Sequence, residues 1–164
     1  MSHEVEIGRG KRGRRAYTLD DIALVPARRT RDPEDVNVGW QIDAYHVDIP
    51  LMAAPMDSVM SPETAIAFGR LGGIGVLDLD GLWTRYEDPE PILDQIAHLG
   101  EEESIATLQR VYSEPIKPAL ITERLTQLRE AGVVVAGKLS PQRVQQHWRA
   151  VVDAGVDLFI IRGS

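Results

Sequence analysis

One pattern constrains this chain more than any other. The helical spacing of Ile121, Leu125 and Leu128 closes with Ala131-Gly132 and leads into an apolar run from Val133 to Ala136. Immediately afterwards Val144, Trp148, Val151 and Val152 mark a second helix, closing with Ala154-Gly155 and leading into Val156 to Ile161. Glycine ends a helix by taking the left-handed conformation, and a strand apolar on consecutive positions is one covered on both faces. Two such units in a row predict βα repeats and a parallel sheet.

Earlier residues fit the same scheme. Ile49 to Ala54 reads as a buried strand, followed by a helix that Ser61 caps, with Pro62 at its first position and Glu63 in its positive end. Gly72-Gly73 ends that helix, and Ile74 to Leu77 forms a second short strand that stops at Asp78. A helix starting at Asp88-Pro89 buries Ile92, Leu93, Ile96 and Leu99 on one face. Between Glu101 and Leu120 the pattern leaves the repeat, with Glu101 to Glu103 read as a solvated turn.

Four strands alternating with helices fit either a doubly wound open sheet or a (β/α)8 barrel. A dinucleotide-binding open sheet carries a Gly-x-Gly-x-x-Gly turn after its first strand, and Ala53-Ala54-Pro55-Met56-Asp57-Ser58 is no such turn. The barrel is therefore favoured, and these residues supply about its first four βα units. Barrel sites lie at the carboxyl ends of strands, which sets Ala54, Met56, Asp57 and Ser58 on the rim. Small residues let a ligand approach the backbone, and Met56 offers a polarizable surface to a flat ring. The competing reading is that the same residues only turn the chain and pack.

Composition narrows the class. The 164 residues carry a net charge of −7, so nucleic acid is not an expected partner of the whole chain. The basic run Arg9, Lys11, Arg12, Arg14 and Arg15 is expected as a flexible arm over residues 1–16, followed by the barrel portion from 17 to 164. No apolar segment reaches membrane-spanning length and no signal peptide is evident, which predicts a cytoplasmic protein. There is no cysteine. The histidines 3, 46, 98 and 147 lack metal-ligand spacing. Trp148 is expected in the core, while Trp40 and Tyr45 are expected to pack the barrel base or meet a neighbouring subunit.

Three segments in order carry a resemblance. Thr18-Leu19-Asp20-Asp21-Ile22-Ala23-Leu24-Val25-Pro26, then Ile49 to Val59, then Gly72-Gly73-Ile74-Gly75-Val76 are similar to the amino-terminal signature of the IMP dehydrogenase and GMP reductase family. That resemblance implies a (β/α)8 barrel that oxidises IMP to XMP with NAD or, in its sister branch, reduces GMP to IMP with NADPH. Both reactions pass through a bond between a cysteine and the purine carbon at position two. Carried over by position, Ala54 and Met56 line the purine nucleotide site, with Asp57 and Ser58 continuing its loop. Ser140, Arg162, Gly163 and Ser164 match the cofactor side.

The departures are informative. Arg162 stands where the family usually has an aspartate, and about 50 residues between the second and third strands leave no room for the paired CBS modules of many members. The segment from Asp80 to Tyr86 resembles the CBS-free bacterial branch. The family's catalytic cysteine loop, potassium-binding turn and glycine-rich phosphate loops belong to the second half of the barrel, so no catalytic residue is assigned here. The resemblance also implies a homotetramer for a complete barrel, whereas these residues alone are expected to be inactive and prone to associate.

Overall fold

The structure, a computed structural model, describes residues 4–14, 17–23, 25 and 32–163. Arg15, Leu24, Pro26, His3 and Ser164 lie outside them. The chain divides into two compact units, Met1–Asn37 and Val38–Ser164.

In the first unit the described part of the basic run lies in a β-hairpin. Strands β1 (Glu4–Gly8) and β2 (Lys11–Arg14) pair antiparallel, with Glu4 opposite Arg14 and Glu6 opposite Arg12. Arg12 and Arg14 each face a glutamate across the ladder, which offsets the repulsion that would keep a basic segment extended. Gly10, at φ 71°, supplies the left-handed residue of the turn. Further along, the Thr18 amide and hydroxyl both donate to Asp21 Oδ2 at 3.0 Å, closing a single 3-10 turn over Leu19–Asp21.

The second unit is α/β. A short hairpin of β3 (Trp40–Ile42) and β4 (Tyr45–Val47) precedes α1 (Pro62–Arg70) and β5 (Val76–Asp78). Helices α2 (Glu90–Ala97), α3 (Glu101–Val111) and α4 (Pro118–Glu130) follow, then β6 (Ala136–Leu139), α5 (Pro141–Asp153) and β7 (Leu158–Ile161). Strands β5, β6 and β7 form one parallel sheet in chain order, and a parallel bridge from Met52 to Ile74 adds the predicted first strand beside β5.

That first strand is reduced to a bridge. Its backbone bonds to the neighbouring segment are Ile49 N donating to Gly72 O at 3.0 Å, Ile74 N donating to Leu51 O at 3.0 Å and Ala53 N donating to Ile74 O at 2.9 Å. Pro50 and Pro55 flank it and cannot donate to a ladder. The third strand begins three residues later than its valines predict. The Val135 amide donates to Asp157 Oδ2 at 2.8 Å, so a side chain takes the place of a ladder partner there. Glu101 to Glu103 open α3 instead of forming a turn. Acidic residues suit the positive end of a helix.

Side chains alternate across the sheet as strand geometry requires. Leu77, Val135, Leu139 and Phe159 join Ala65 of α1, Leu125 and Leu128 of α4 and Val151 of α5 in the larger core. Ile74, Val76, Val134, Ala136, Leu158 and Ile160 form a second cluster on the other face with Val47, and no described helix contributes to it. Successive right-handed crossovers in one direction put every connecting helix on one side, which accounts for the asymmetry.

Local signals hold well in the helices. Ser61 Oγ accepts from the Thr64 amide at 3.1 Å, while Gly132 and Gly155 end α4 and α5 with φ of 73° and 71°. Trp148 is 43% exposed and not in the core. Its position lies about a quarter turn from the line through Val144, Val151 and Ala154 that faces the sheet, a line occupied by His147 instead. Tyr45 Oη donates to Asp157 Oδ1 at 2.6 Å, fastening the hairpin to the start of β7, whereas Trp40 is exposed.

Candidate functional site

The alternation that builds the sheet also selects what stands at its carboxyl edge. Asp78, Lys138 and Arg162 each sit two residues beyond Val76, Ala136 and Ile160 of the second cluster, and Ala54 sits two beyond Met52, which bridges that cluster's Ile74. They therefore fall on the face away from the helices. A cleft of about 300 Å³ opens there, lined by Ala54, Pro55, Met56, Lys138, Ser140, Arg162 and Gly163.

Five of the eight residues singled out from the sequence meet in that cleft: Ala54 and Met56 on one wall, Ser140, Arg162 and Gly163 on the other. Ser164 lies outside the described residues. Asp57 and Ser58 do not join the cleft and line spaces on the far side of the loop. The Asp57 carboxylate turns inward, accepting from the Leu82 amide at 2.8 Å and from Tyr112 Oη at 2.6 Å. Gly81 packs so closely on that carboxylate that any side chain there would overlap it. Burial raises the Asp57 pKa in spite of these two donors and the nearby Arg85.

Lys138 is the residue that sequence reasoning missed. Its Nζ reaches Asp78 Oδ1 at 3.3 Å and Asp80 Oδ2 at 3.2 Å, and Asp80 Oδ2 also accepts from the Ser140 amide at 2.6 Å. A signal was there: one lysine interrupts an otherwise apolar run from Val133 to Leu139. Burial pulls its pKa down, but the two aspartates outweigh that and leave it above the ordinary lysine value. The ammonium thus stays charged at the cleft floor. Burial raises the Asp78 carboxyl, against the Asp80 amide and Lys138 that favour its ionised form.

Behind the edge, two buried arginines fix the loop after β5. Arg85 donates from Nε and Nη2 to Asp80 O at 3.0 and 2.9 Å and from Nη1 to Glu114 O. Arg124 donates to Trp83 O at 3.1 Å and Glu87 O at 2.6 Å. Arg124 also pairs through Nη1 with Glu123 Oε1 at 2.9 Å, but backbone carbonyls take the other donors of both guanidiniums, so both side chains read as braces. Among the described residues no cluster of histidines and acids could hold a metal ion, and no helix is long and apolar enough to cross a membrane.

The cleft can take a small, partly flat molecule between Met56 and a wall of polar and cationic donors. Comparisons with known proteins agree on the family. The IMP dehydrogenase / GMP reductase domain matches residues 16–164. An uncharacterized oxidoreductase of Mycolicibacterium smegmatis is 43% identical over 98% of this chain and 44% of its own length. The inosine-5'-monophosphate dehydrogenase of Thermoplasma acidophilum is 31% identical over 73% of this chain and 24% of its own. The crystal structure of an IMP dehydrogenase/GMP reductase-like protein from Corynebacterium glutamicum superposes with a TM-score of 0.81 at 41% identity, covering 98% of this chain and 44% of that one. The chain thus spans less than half the length of the relatives that match it along nearly all its residues. On the match over residues 16–164 it belongs to the IMP dehydrogenase / GMP reductase family of oxidoreductase-like proteins.

Proposed function

We propose that these residues are the amino-terminal part of an IMP dehydrogenase-type oxidoreductase that converts IMP to XMP with NAD, built on a (β/α)8 barrel. The observation that carries this reading is the meeting of Ala54 and Met56 with Ser140, Arg162 and Gly163 around one cleft. Residues assigned by resemblance to substrate and to cofactor lie far apart in the chain. Their meeting is what a hydride transfer between two bound molecules needs. Parallel strands added in chain order, with helices on one face, support the barrel.

The donor set fits part of a dinucleotide. A cleft of about 300 Å³ holds a ring and its sugar, not the whole molecule. Ser140 and the Gly163 backbone offer hydrogen bonds, and Arg162 offers charge to an anion. Bound NAD supplies a hydride acceptor. This chain's own residues bind and orient: Met56 presents an apolar surface to the purine, and the small Ala54 leaves the backbone accessible. The nucleophilic cysteine of the family's chemistry is not contributed by these 164 residues, which contain none.

Arg162 supports a second reading. A cation where the family usually has an aspartate favours an additional phosphate, as in NADPH, and so a GMP reductase-type reaction that releases ammonia. A half-barrel that binds a nucleotide without turnover is the non-catalytic alternative. Protein purified from its native locus separates them. IMP-dependent NADH formation is the expected result, GMP-dependent NADPH consumption selects the second reading, and no turnover with either pair overturns both. The same preparation reports the tetramer and any potassium requirement that the resemblance implies.

A further inference from the structure

The loop that carries Met56 is held from behind by a contact outside the cleft. Val59 N and Met60 N both donate to Met56 O, at 3.1 and 2.9 Å, so residues 56–60 form one tight turn. From that turn the Asp57 carboxylate points away from the cleft to Tyr112 Oη, 2.6 Å away, at the end of α3. The Tyr112 ring in turn lies under the Arg85 guanidinium, 5.6 Å from its centroid, and Arg85 is braced by Asp80 O and Glu114 O. Leu93 and Ile96 of α2, with Leu108 and Tyr112, line an open space of about 370 Å³ behind Met56. Met56 therefore has the candidate ligand cleft in front of it and a loosely filled space at its back.

A methionine with three rotatable bonds between two spaces is a poor platform unless its backbone is fixed. We propose that Tyr112 is a positioning residue for the nucleotide site: by tying the α2–α3 pair to Asp57, it sets the Met56 turn against the ligand in the front cleft. The inference rests on the reading of that cleft as a nucleotide site. Tyr112 does not line the front cleft, and its hydroxyl reaches the Met56 turn through Asp57. A loop fixed before binding does not have to be ordered at the moment of binding, so its loss shows as weaker affinity. A second tyrosine supplies the control. Tyr86 Oη donates to Val111 O at 3.1 Å, anchoring the same end of α3 without reaching Asp57.

The test uses the chain with its four methionines labelled at the methyl carbon, the Met56 signal being assigned by its loss in Met56→Leu. IMP is titrated into the wild type, Tyr112→Phe and Tyr86→Phe. Tyr112→Phe keeps the ring and removes only the hydroxyl. The expected result is a shifted Met56 methyl and an IMP affinity about tenfold weaker in Tyr112→Phe, the size of one hydrogen bond to a charged group, with Tyr86→Phe close to the wild type. Unchanged methyl and affinity in Tyr112→Phe, or an equal loss in Tyr86→Phe, overturns the proposal. A wild type that ignores IMP overturns the nucleotide reading instead. In that case the methyl alone decides, and no shift in Tyr112→Phe defeats the positioning role as well.

Discussion

At the scale of single residues Asp57 and Asp78, both raised by burial near the strand ends, behave differently from exposed acids, and their chemistry can be read through pH. Burial raises the Asp57 carboxyl above its ordinary 3.8. A carboxyl raised on folding holds its proton more tightly in the folded than in the unfolded chain, so its ionised form costs stability near neutrality. That cost fades as pH falls through the folded value. Asp57→Asn, uncharged throughout, should gain on the wild type as pH climbs from about 4 to about 7. The difference in thermal midpoint, Asn minus Asp, becomes more positive over that range, and a flat or falling difference would mean the carboxyl is not raised. Lys138→Met acts in the opposite sense, leaving Asp78 and Asp80 without their cation. The lysine side chain is only 17% exposed. Removing one partner of a fully buried pair costs about 3–5 kcal/mol; screening by the remaining solvent contact lowers the expectation to about 2 kcal/mol, read as a lower urea midpoint. Ala54 and Met56 were legible because a contiguous motif names them. The Asp57 partner is 55 residues away, and no local pattern reveals a bond across that distance.

At the scale of elements, what the sequence made legible was decided by how local the cause is. The ends of α4 and α5 were plain because one glycine in the left-handed region is enough to stop a helix. The start of β6 was not, since it depends on Asp157 reaching back to the Val135 amide. The packing of α1 on β5 is a further case in which a single residue decides. A Cβ on Gly75 would come within 2.5 Å of the Ala65 Cα, a backbone atom that cannot swing aside. Gly75→Ala must push α1 off the sheet, an overpacking cost of about 1–3 kcal/mol. Ser61→Ala at the other end of the helix removes only its cap and costs about 1 kcal/mol. Chemical denaturation of both variants should rank glycine above serine. The reverse order would show that α1 slides freely on β5 and that its first turn is the tighter constraint.

At the scale of the molecule the second unit is a parallel sheet finished on one face only. Helices cover Leu77, Leu139 and Phe159, while Leu158 and Ile160 look the other way with no described helix over them. Among the described residues β7 pairs with β6 alone, and the Ile49 to Ala53 segment pairs with Gly72 and Ile74 alone, so both outer strands present unused backbone groups. Leu51, Met52 and Ile161 are all exposed on these edges. Two apolar edges of the same parallel sense invite pairing with another strand. The relatives that match this chain are more than twice as long, and a continuing chain is the natural cover for such a face. The 164-residue polypeptide by itself should therefore associate as its concentration rises. Ile161→Lys places a charge on the open edge of β7, where natural edge strands use lysine to refuse partners. Sedimentation across a concentration series should show association in the wild type and a marked reduction in Ile161→Lys. Monomers throughout for the wild type would mean that the edge is already protected, and equal association in both would move the contact from the β7 edge to the uncovered face of the sheet.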